Sequence, residues 1–368
     1  MAIAIQPYTP ELIPAVKALN SRLGAGGVAR EFHFPENSVP AWLPKLPGRR
    51  LYQEYFLAVE VDAVRGGYIV KHQDFLINGE ILPIAFYRLP LSEGIVNRAY
   101  TSVAVIMLRS ALARQPVMFA LGMGGMHNPL PQMLKAMGWS LRDVPFYFRV
   151  NHPGKFLRNI APLRQEPARR KLASLAAFSG LGWLGLKSAQ GFRTKTISGV
   201  GAEQVANFGC WADELWQCCA AKYFASAVRD SATLNVLYQE DKYICLKVSR
   251  RSQVLGWAVL LDTQMDNSKY FGEMRLGSIA DCFAAPEDAP AVIQGATHFL
   301  QARGVDLIIS NQAHQAWTNA LKSSGYFTGP SNFVFAASKG LAQLLAPLDQ
   351  NFSRLHLNRG DGDGPINL

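Results

Sequence analysis

Between Ser92 and Ala104 the chain reads SEGIVNRAYTSVA, and its residue types suit the holding of an anion. The extended apolar run PIAFYRLPL, from Pro83, leads into it. TSVAVIMLRSALARQ leaves it from Thr101, with Val103, Ile106, Met107 and Ala111 at helical spacing. A strand that ends in a loop and opens a helix presents free N–H groups and the positive end of the helix dipole. Arg98 adds a cation to that loop, and Glu93 places a carboxylate at the strand end. Glu54, His127 and Asp281 are weaker candidates for chemistry, and His298 falls in a helical pattern that gives it a structural role.

The surrounding elements form a series. AIAIQPY reads as a first strand, and TPELIPAVKALNSRL as a helix with Thr9 as N-cap and Pro10 in its first turn. The segment to Arg50 carries Pro35, Pro40, Pro44 and Pro47, which predicts an irregular loop of the kind that lies over a cleft. Three strands follow, YFLAVEV, GGYIVKHQDFLI and EILPIAFYRL, the last two joined by Asn78-Gly79, a type I′ hairpin signal. After the helix from Thr101, VMFALGMGG reads as a strand, PLPQMLKAMGW as a helix stopped at Gly138, and PFYFRV as the closing strand.

The chain also repeats itself. VRGGYIV from Val64 is echoed by VLGWAVL from Val254, FLAVEV by ICLKVS, and MLKAMGW from Met133 by ALKSSGY from Ala320. Three echoes in order at a near-constant offset predict a duplicated domain. The expected division is a first domain over 1–150, a helical linker over 151–195, a second domain over 196–338 and a tail over 339–368. The fold class is α/β in the α+β sense, with a mixed, mostly antiparallel sheet flanked by helices in each copy.

This order resembles the GNAT acyltransferase superfamily in its tandem two-domain form, with similarity also to the FemABX transferases. The family signature Q/R-x-x-G-x-G/A falls here on Ala99, Ser102 and Ala104, with Arg98 one place early. The resemblance implies transfer of an acetyl or other acyl group from acetyl-CoA or another acyl-CoA to an amine or hydroxyl, with a glycan or cell-envelope precursor as one acceptor. It puts Arg98, Thr101, Ser102 and Ala104 on the pyrophosphate, the strand-end amides of Gly94 and Ile95 by the thioester, and Glu93 as the base. Where the family has a tyrosine to protonate the departing thiol, this chain has Leu134 and Leu321, which leaves Tyr100, or Tyr147, as the substitute. The loop of the second copy, with Pro286, Glu287, Asp288 and Pro290, would repel a pyrophosphate, so the first copy is the expected cofactor site. FemABX-like aminoacyl transfer from charged tRNA and a non-catalytic binding protein are the alternatives.

Lys and Arg number 37 against 27 Asp and Glu, a net charge of +10 that favours an anionic partner without naming it. The five cysteines lack paired C-x-x-C spacing, so neither a metal site nor a disulfide frame is expected, and Cys210 and Cys218 are placed on the core face of a helix. The opening MAIAIQPYTPELIPAV lacks the pattern of a signal peptide, which makes the cytoplasm the expected compartment. The run from Leu172 to Leu186 has no charged residue and is too short to span a bilayer. Flanked by Arg169, Arg170, Lys171 and Lys187, it suits peripheral contact with an anionic membrane or a linker helix packed between domains. Asp361 and Asp363 alternate with glycine but lack the ligand series of a calcium loop, so the tail reads as a flexible end or as a segment folded back on a cleft.

Overall fold

The computed structural model describes residues 3–160, 190–191 and 194–362. The apolar run at 172–186, its flanking basic residues and Asp363 lie outside the described residues. The chain forms two compact units. Met1–Arg142 with Val334–Asp349 make the first, and Asp143–Phe333 with Gln350–Leu368 the second.

In the first unit β1 (Ala4–Pro7), β2 (Tyr52–Glu60), β3 (Ala63–Ile77) and β4 (Glu80–Ser92) pair antiparallel in succession. The β3–β4 hairpin turns on Asn78 and Gly79 at φ 48° and 88°, the left-handed geometry that the dipeptide predicts. β5 (Met118–Gly122) then runs parallel to β4. The sheet continues through β15 (Val334–Ala337) to β6 (Ser140–Asp143). Helix α1 (Ile13–Ala25) covers one face through Val16, Leu19 and Leu23. The other face is covered by α2 (Ser102–Arg114) and α3 (Pro129–Ala136), whose Val103, Met107, Leu108, Ala111 and Leu134 join one buried cluster.

The second unit has the same plan. The seven strands of its large sheet run β8 (Val200–Gln204), β10 (Ile244–Arg250), β11 (Gln253–Gln264), β12 (Arg275–Ala284), β13 (Leu307–Asn311), β7 (Phe146–Val150) and β14 (Phe327–Gly329), and the short strands β9 (Ala225–Ala227) and β16 (Leu355–His356) pair in parallel. The pair β12–β13 is parallel and its neighbours are antiparallel. After α4 (Pro153–Asn159) come α5 (Cys210–Cys219), α6 (Ser231–Leu237), α7 (Ala289–Ala302) and α8 (Gln315–Ser323). α7 buries Ala291, Val292, Ala296 and Leu300.

The repeat reappears as shared packing. Gly66 and Gly256 sit at matching points of β3 and β11, where a Cβ would stand 2.6 Å from Leu91 O and 2.5 Å from Phe283 O, with Val103 of α2 and Val292 of α7 pressing from above. Gly138 and Gly325 end α3 and α8 at φ 83° and 79°. Leu134 and Leu321 are fully buried one turn earlier.

Several expectations need correction. PFYFRV, read as the closing strand of the first copy, is β7 of the second unit, and NFVFAAS, within the stretch assigned to the second copy, supplies β15 to the first. The units therefore do not break at 150 and 196. Both segments are short and apolar, so their periodicity carries no address for a sheet. Cys210 and Cys218 are exposed, while Cys219 is the buried cysteine of α5, in phase with Ala212 and Leu215. His298 is exposed.

Replacing Gly66 or Gly256 by alanine forces a methyl into a strand–helix contact, and each change is expected to cost ~1–3 kcal/mol. Urea unfolding of the two variants measures this, and midpoints equal to wild type would contradict the shared-packing assignment.

Candidate functional site

In both units the fourth strand bulges and then leaves its parallel neighbour. β4 pairs with β5 only at Ala85–Met118 and Phe86–Phe119. Beyond that, the register against β3 shifts between Gly67 and Ile69, and Leu89 takes φ 44°, a left-handed conformation that strains a leucine. β12 pairs with β13 from Leu276–Leu307 to Ile279–Ser310, and its bulge follows at once against Val259 and Leu260. Each unit thus opens a gap between the C-terminal halves of two parallel strands.

The second gap is filled by the chain's own tail. Ala313 N donates to Leu357 O at 3.0 Å, Gln312 bridges Asn358, and the His356 ring nitrogen Nε2 lies 2.8 Å from Cys282 O. Asp281, on the bulge, accepts from Arg229 Nε (3.1 Å), Tyr238 OH (2.7 Å), Asn358 Nδ2 (2.7 Å) and its neighbour's amide Cys282 N (2.8 Å). Arg229 also donates to Asp361 Oδ1 at 2.8 Å, and all three charged side chains are almost wholly buried. Burial alone would lower the pKa of this guanidinium, but the two carboxylates outweigh it and hold its pKa above the ordinary value. Leu355–Asp361 is therefore a built part of the second unit, and the reading of these residues as a flexible end is corrected. Pairing Gly66 with Ser92 and Gly256 with Ala284 aligns Glu93 with Ala285, so Asp281 is not its counterpart.

In the first unit no strand among the described residues pairs with the parted edges of Tyr87–Ser92 and Ala120–Gly122. Two loops leave that end of the sheet. After β5, Gly122, Met123, Gly124 and Gly125 stand at φ 92°, 64°, 73° and 117°. The N–H groups of Met123, Gly124 and Gly125 make no hydrogen bond among the described residues. VMFALGMGG, read as a strand to its end, is strand only to Gly122, and the left-handed run beyond it was signalled only by its glycine density.

After β4, Ser92 Oγ accepts from Gly94 N at 3.0 Å, and Asn97 Oδ1 accepts from Ala99 N at 3.1 Å, so two short 3₁₀ turns lead to α2. A Cβ on Gly94 would meet Tyr100 O at 2.6 Å, which fixes that residue as glycine. Ile95 is 63% exposed, Arg98, Thr101 and Ser102 are exposed, and Ala104 is half-buried in the first turn of α2. The Arg98 side chain has no partner among the described residues.

Glu93 is held differently from a free base. Arg22 Nε and Nη2 each donate to its carboxylate at 2.9 Å, and Arg65 Nη1 donates at 3.2 Å. Burial raises the cost of its charge, but the bonds from Arg22 and Arg65 outweigh that and hold the carboxyl below its ordinary pKa. A carboxylate so paired is a poor proton acceptor. Arg65 continues to Glu60 at 3.0 Å and lies 4.3 Å from the centroid of the Tyr100 ring, whose hydroxyl is 3.4 Å from Glu60. Glu93 and Tyr100, expected as base and acid, are thus brought together as parts of one ion network that ties the loop to α1 and β3. Glu54 is likewise paired, with His72 at 2.9 Å and Lys45 at 2.8 Å, and is pushed down to about 2, chiefly by the hydrogen bond to His72. Leu134 and Leu321 lie in the core, Tyr147 is buried, and His127 is exposed.

No protein-family model and no curated protein matches the sequence. Solved structures do match. A probable N-acyltransferase of Enterococcus faecalis superposes with a TM-score of 0.52 at 8% identity, over 94% of this chain and 74% of that one. N-myristoyltransferase of Saccharomyces cerevisiae, with bound myristoyl-CoA and inhibitors, gives 0.52 at 9% identity over 91% and 79%. A GCN5-related N-acetyltransferase of Anabaena variabilis gives 0.52 at 10% over 91% and 72%. The fold is that of the GNAT-type N-acyltransferases, as the order of elements predicts. Among the described residues no helix is long and apolar enough to cross a membrane, and no group of three or more His, Cys, Asp or Glu could hold a metal ion.

Glu93→Gln removes a buried charge from between two guanidiniums and is expected to cost ~3 kcal/mol at pH 7. Because the folded pKa of Glu93 is depressed, its contribution is complete above the unfolded carboxyl pKa and is lost as pH falls through the folded one. Denaturant titrations of both proteins should therefore converge in acid, and a pH-independent difference would exclude the ion network as the cause. His314, whose Nδ1 caps α8, is brought down to about 4, first by burial and then by Arg354, while burial brings His356 well below its ordinary value. Between the ordinary histidine pKa and about 4 the unfolded chain binds protons that the folded one refuses. Stability should fall with pH across that window, by roughly 2–4 kcal/mol for His314, and His314→Asn should flatten the slope in the same titration.

Proposed function

We propose that this protein is an acyl-CoA-dependent acyltransferase that holds its cofactor in the first unit and transfers the acyl group to an amine or hydroxyl. The observation that carries this is the asymmetry of the two gaps: the second is closed by Leu355–Asp361, and the first has no strand across it. The fold neighbours described above are acyltransferases by name, and the yeast one holds myristoyl-CoA.

In this reading the pyrophosphate lies against Arg98, Thr101 and the first amides of α2, those of Ser102 to Ala104, which lack intrahelical acceptors; the Thr101 amide itself donates to Arg98 O at 3.3 Å. Gly94 and Ile95 line the approach from β4. The amides after β5, at Met123, Gly124 and Gly125, supply donors for the oxyanion that forms when the acceptor attacks the thioester carbon. Carbon–sulfur cleavage then releases CoA as the thiol. Glu93 and Tyr100 act by positioning: their network with Arg22, Arg65 and Glu60 sets the loop between β4 and α2. Catalysis by placement and oxyanion stabilisation requires no side-chain base, and the acceptor proton passes to water. A non-catalytic binding protein is the second reading, favoured by the core leucine at position 134 and by the pairing of Glu93. A glycan precursor as acceptor and aminoacyl-tRNA as donor lie beyond this proposal, because no described contact favours either.

Calorimetric titration with acetyl-CoA, myristoyl-CoA and desulfo-CoA tests the assignment. Binding that Arg98→Ala weakens by about tenfold, in keeping with loss of one charge-assisted phosphate contact, is the expected result. Folded protein that binds none of the three overturns it. Binding without thiol release in the presence of any amine or hydroxyl acceptor selects the non-catalytic reading.

A further inference from the structure

The last turn of α5 ends in two adjacent cysteines whose sulfurs lie together. Cys218 Sγ and Cys219 Sγ are 3.0 Å apart, about 1 Å beyond the length of a disulfide bond. Cys218 is exposed, and its thiol donates to Leu215 O at 3.5 Å, while Cys219 is only 3% exposed. Burial first, and then Cys218, push the Cys219 thiol up to about 12, so it stays protonated and its exposed neighbour is the sulfur that meets a reagent. Cys210, at the other end of α5, stands about 12 Å away along the helix axis, out of reach of the pair.

The residues that follow the pair seat the tail in the second gap. Ala220–Lys222 form a 3₁₀ turn, and Lys222 pairs with Glu287 in the turn that precedes α7. Tyr223 OH donates to Ala284 O at 2.7 Å and accepts from Trp317 Nε1 at 3.1 Å, and the Tyr223 ring lies 4.8 Å from that of His356. Phe224 N donates to Arg354 O at 3.2 Å, and β9 then pairs with β16 through Ala225–Leu355 and Ser226–His356. The sulfur pair thus sits directly before the segment that carries the closure of the gap.

We propose that Cys218 and Cys219 form a reversible oxidation site, closed to a disulfide by hydrogen peroxide, and that its closure loosens the tail from the second gap. The Cys218 sulfur attacks one peroxide oxygen and the O–O bond breaks. A sulfenic acid forms, and the other oxygen leaves with the Cys218 proton as water. The Cys219 sulfur then attacks the Cys218 sulfur. The S–S bond forms as the S–O bond breaks, and the departing hydroxide takes the Cys219 proton as a second water. Two thiols are oxidised by two electrons, and one peroxide is reduced to two waters. Adjacent Cα atoms stand about 3.8 Å apart, short of the roughly 4.4–6.8 Å that a disulfide usually spans, so the new bond pulls the 218–219 peptide out of helical geometry. Strain of this kind raises the reduction potential, which makes the bond easy for thiols to reverse. It falls on the turn before Tyr223 and Phe224, whose hydrogen bonds hold the tail's surroundings and the tail itself.

The full chain is treated with hydrogen peroxide, alkylated with N-ethylmaleimide and mapped by mass spectrometry, and amide hydrogen exchange is followed on the same samples. The proposal expects loss of two hydrogens and of both labels at Cys218 and Cys219, reversed by dithiothreitol and retained in Cys210→Ser. Exchange in residues 220–227 and 355–361 should quicken about tenfold on oxidation and return on reduction. Cys218→Ser should abolish both effects, and Cys219→Ser should stop at a sulfenic acid that dimedone traps. If Cys219→Ser fails to fold, Cys218→Ser, at an exposed position, decides alone. A pair that stays alkylatable, a two-hydrogen loss that persists in Cys218→Ser or requires Cys210, or a disulfide that leaves the exchange unchanged overturns the proposal.

Discussion

Two parallel strands that pair briefly and then part leave backbone N–H and C=O groups facing a gap, and those groups need partners. Both sheets meet this constraint at the same place, beyond the bulge of the fourth strand. The second unit meets it internally, with Leu357, Asn358 and His356 bonded to the strand ends and Asp361 locked through Arg229. In the first unit, the bulge at Leu89 and the left-handed run from Gly122 hold the gap's rim in conformations that a closed sheet would not need. Backbone strain is thus kept where pairing between the parallel strands is given up.

Charge placement follows the same division. In the second unit one guanidinium stands between two carboxylates in the core, with Tyr238 and Asn358 also donating to Asp281. In the first, the network of Arg22, Glu93, Arg65 and Glu60 lies beside the loop rather than across the gap, and Arg98 remains exposed beyond it. The ion pairs tie the loop to α1 and β3, and Arg98 stands apart from them.

What was legible in the sequence was what local chemistry decides. Asn78-Gly79 specified its turn and Gly138 its helix end, because each depends on backbone freedom, while the echo of VRGGYIV in VLGWAVL specified a repeated unit whose matching glycines the structure shows at close strand–helix contacts. The order of elements, and with it the fold, followed from those signals. Partnership at long range was not legible. Nothing around Glu93 announces that Arg22, 71 positions earlier, and Arg65 will surround it, so the ion pairs of a strand-end glutamate cannot be read from its neighbours in sequence. The free amides at Met123–Gly125 escaped for the opposite reason, since a donor row made of backbone has no side-chain signature.

The exchange of β7 and β15 bears on how the two copies can be understood. Each sheet receives its penultimate strand from the opposite stretch of chain: Phe146–Val150 pairs with β13, and Val334–Ala337 pairs with β5. A cut near residue 150 or 196 would take β15 from the first sheet and β7 from the second, exposing β5 and β13 as unpaired apolar edges. Duplication thus supplied two equivalent frames, and the exchange made neither complete without the other's strand.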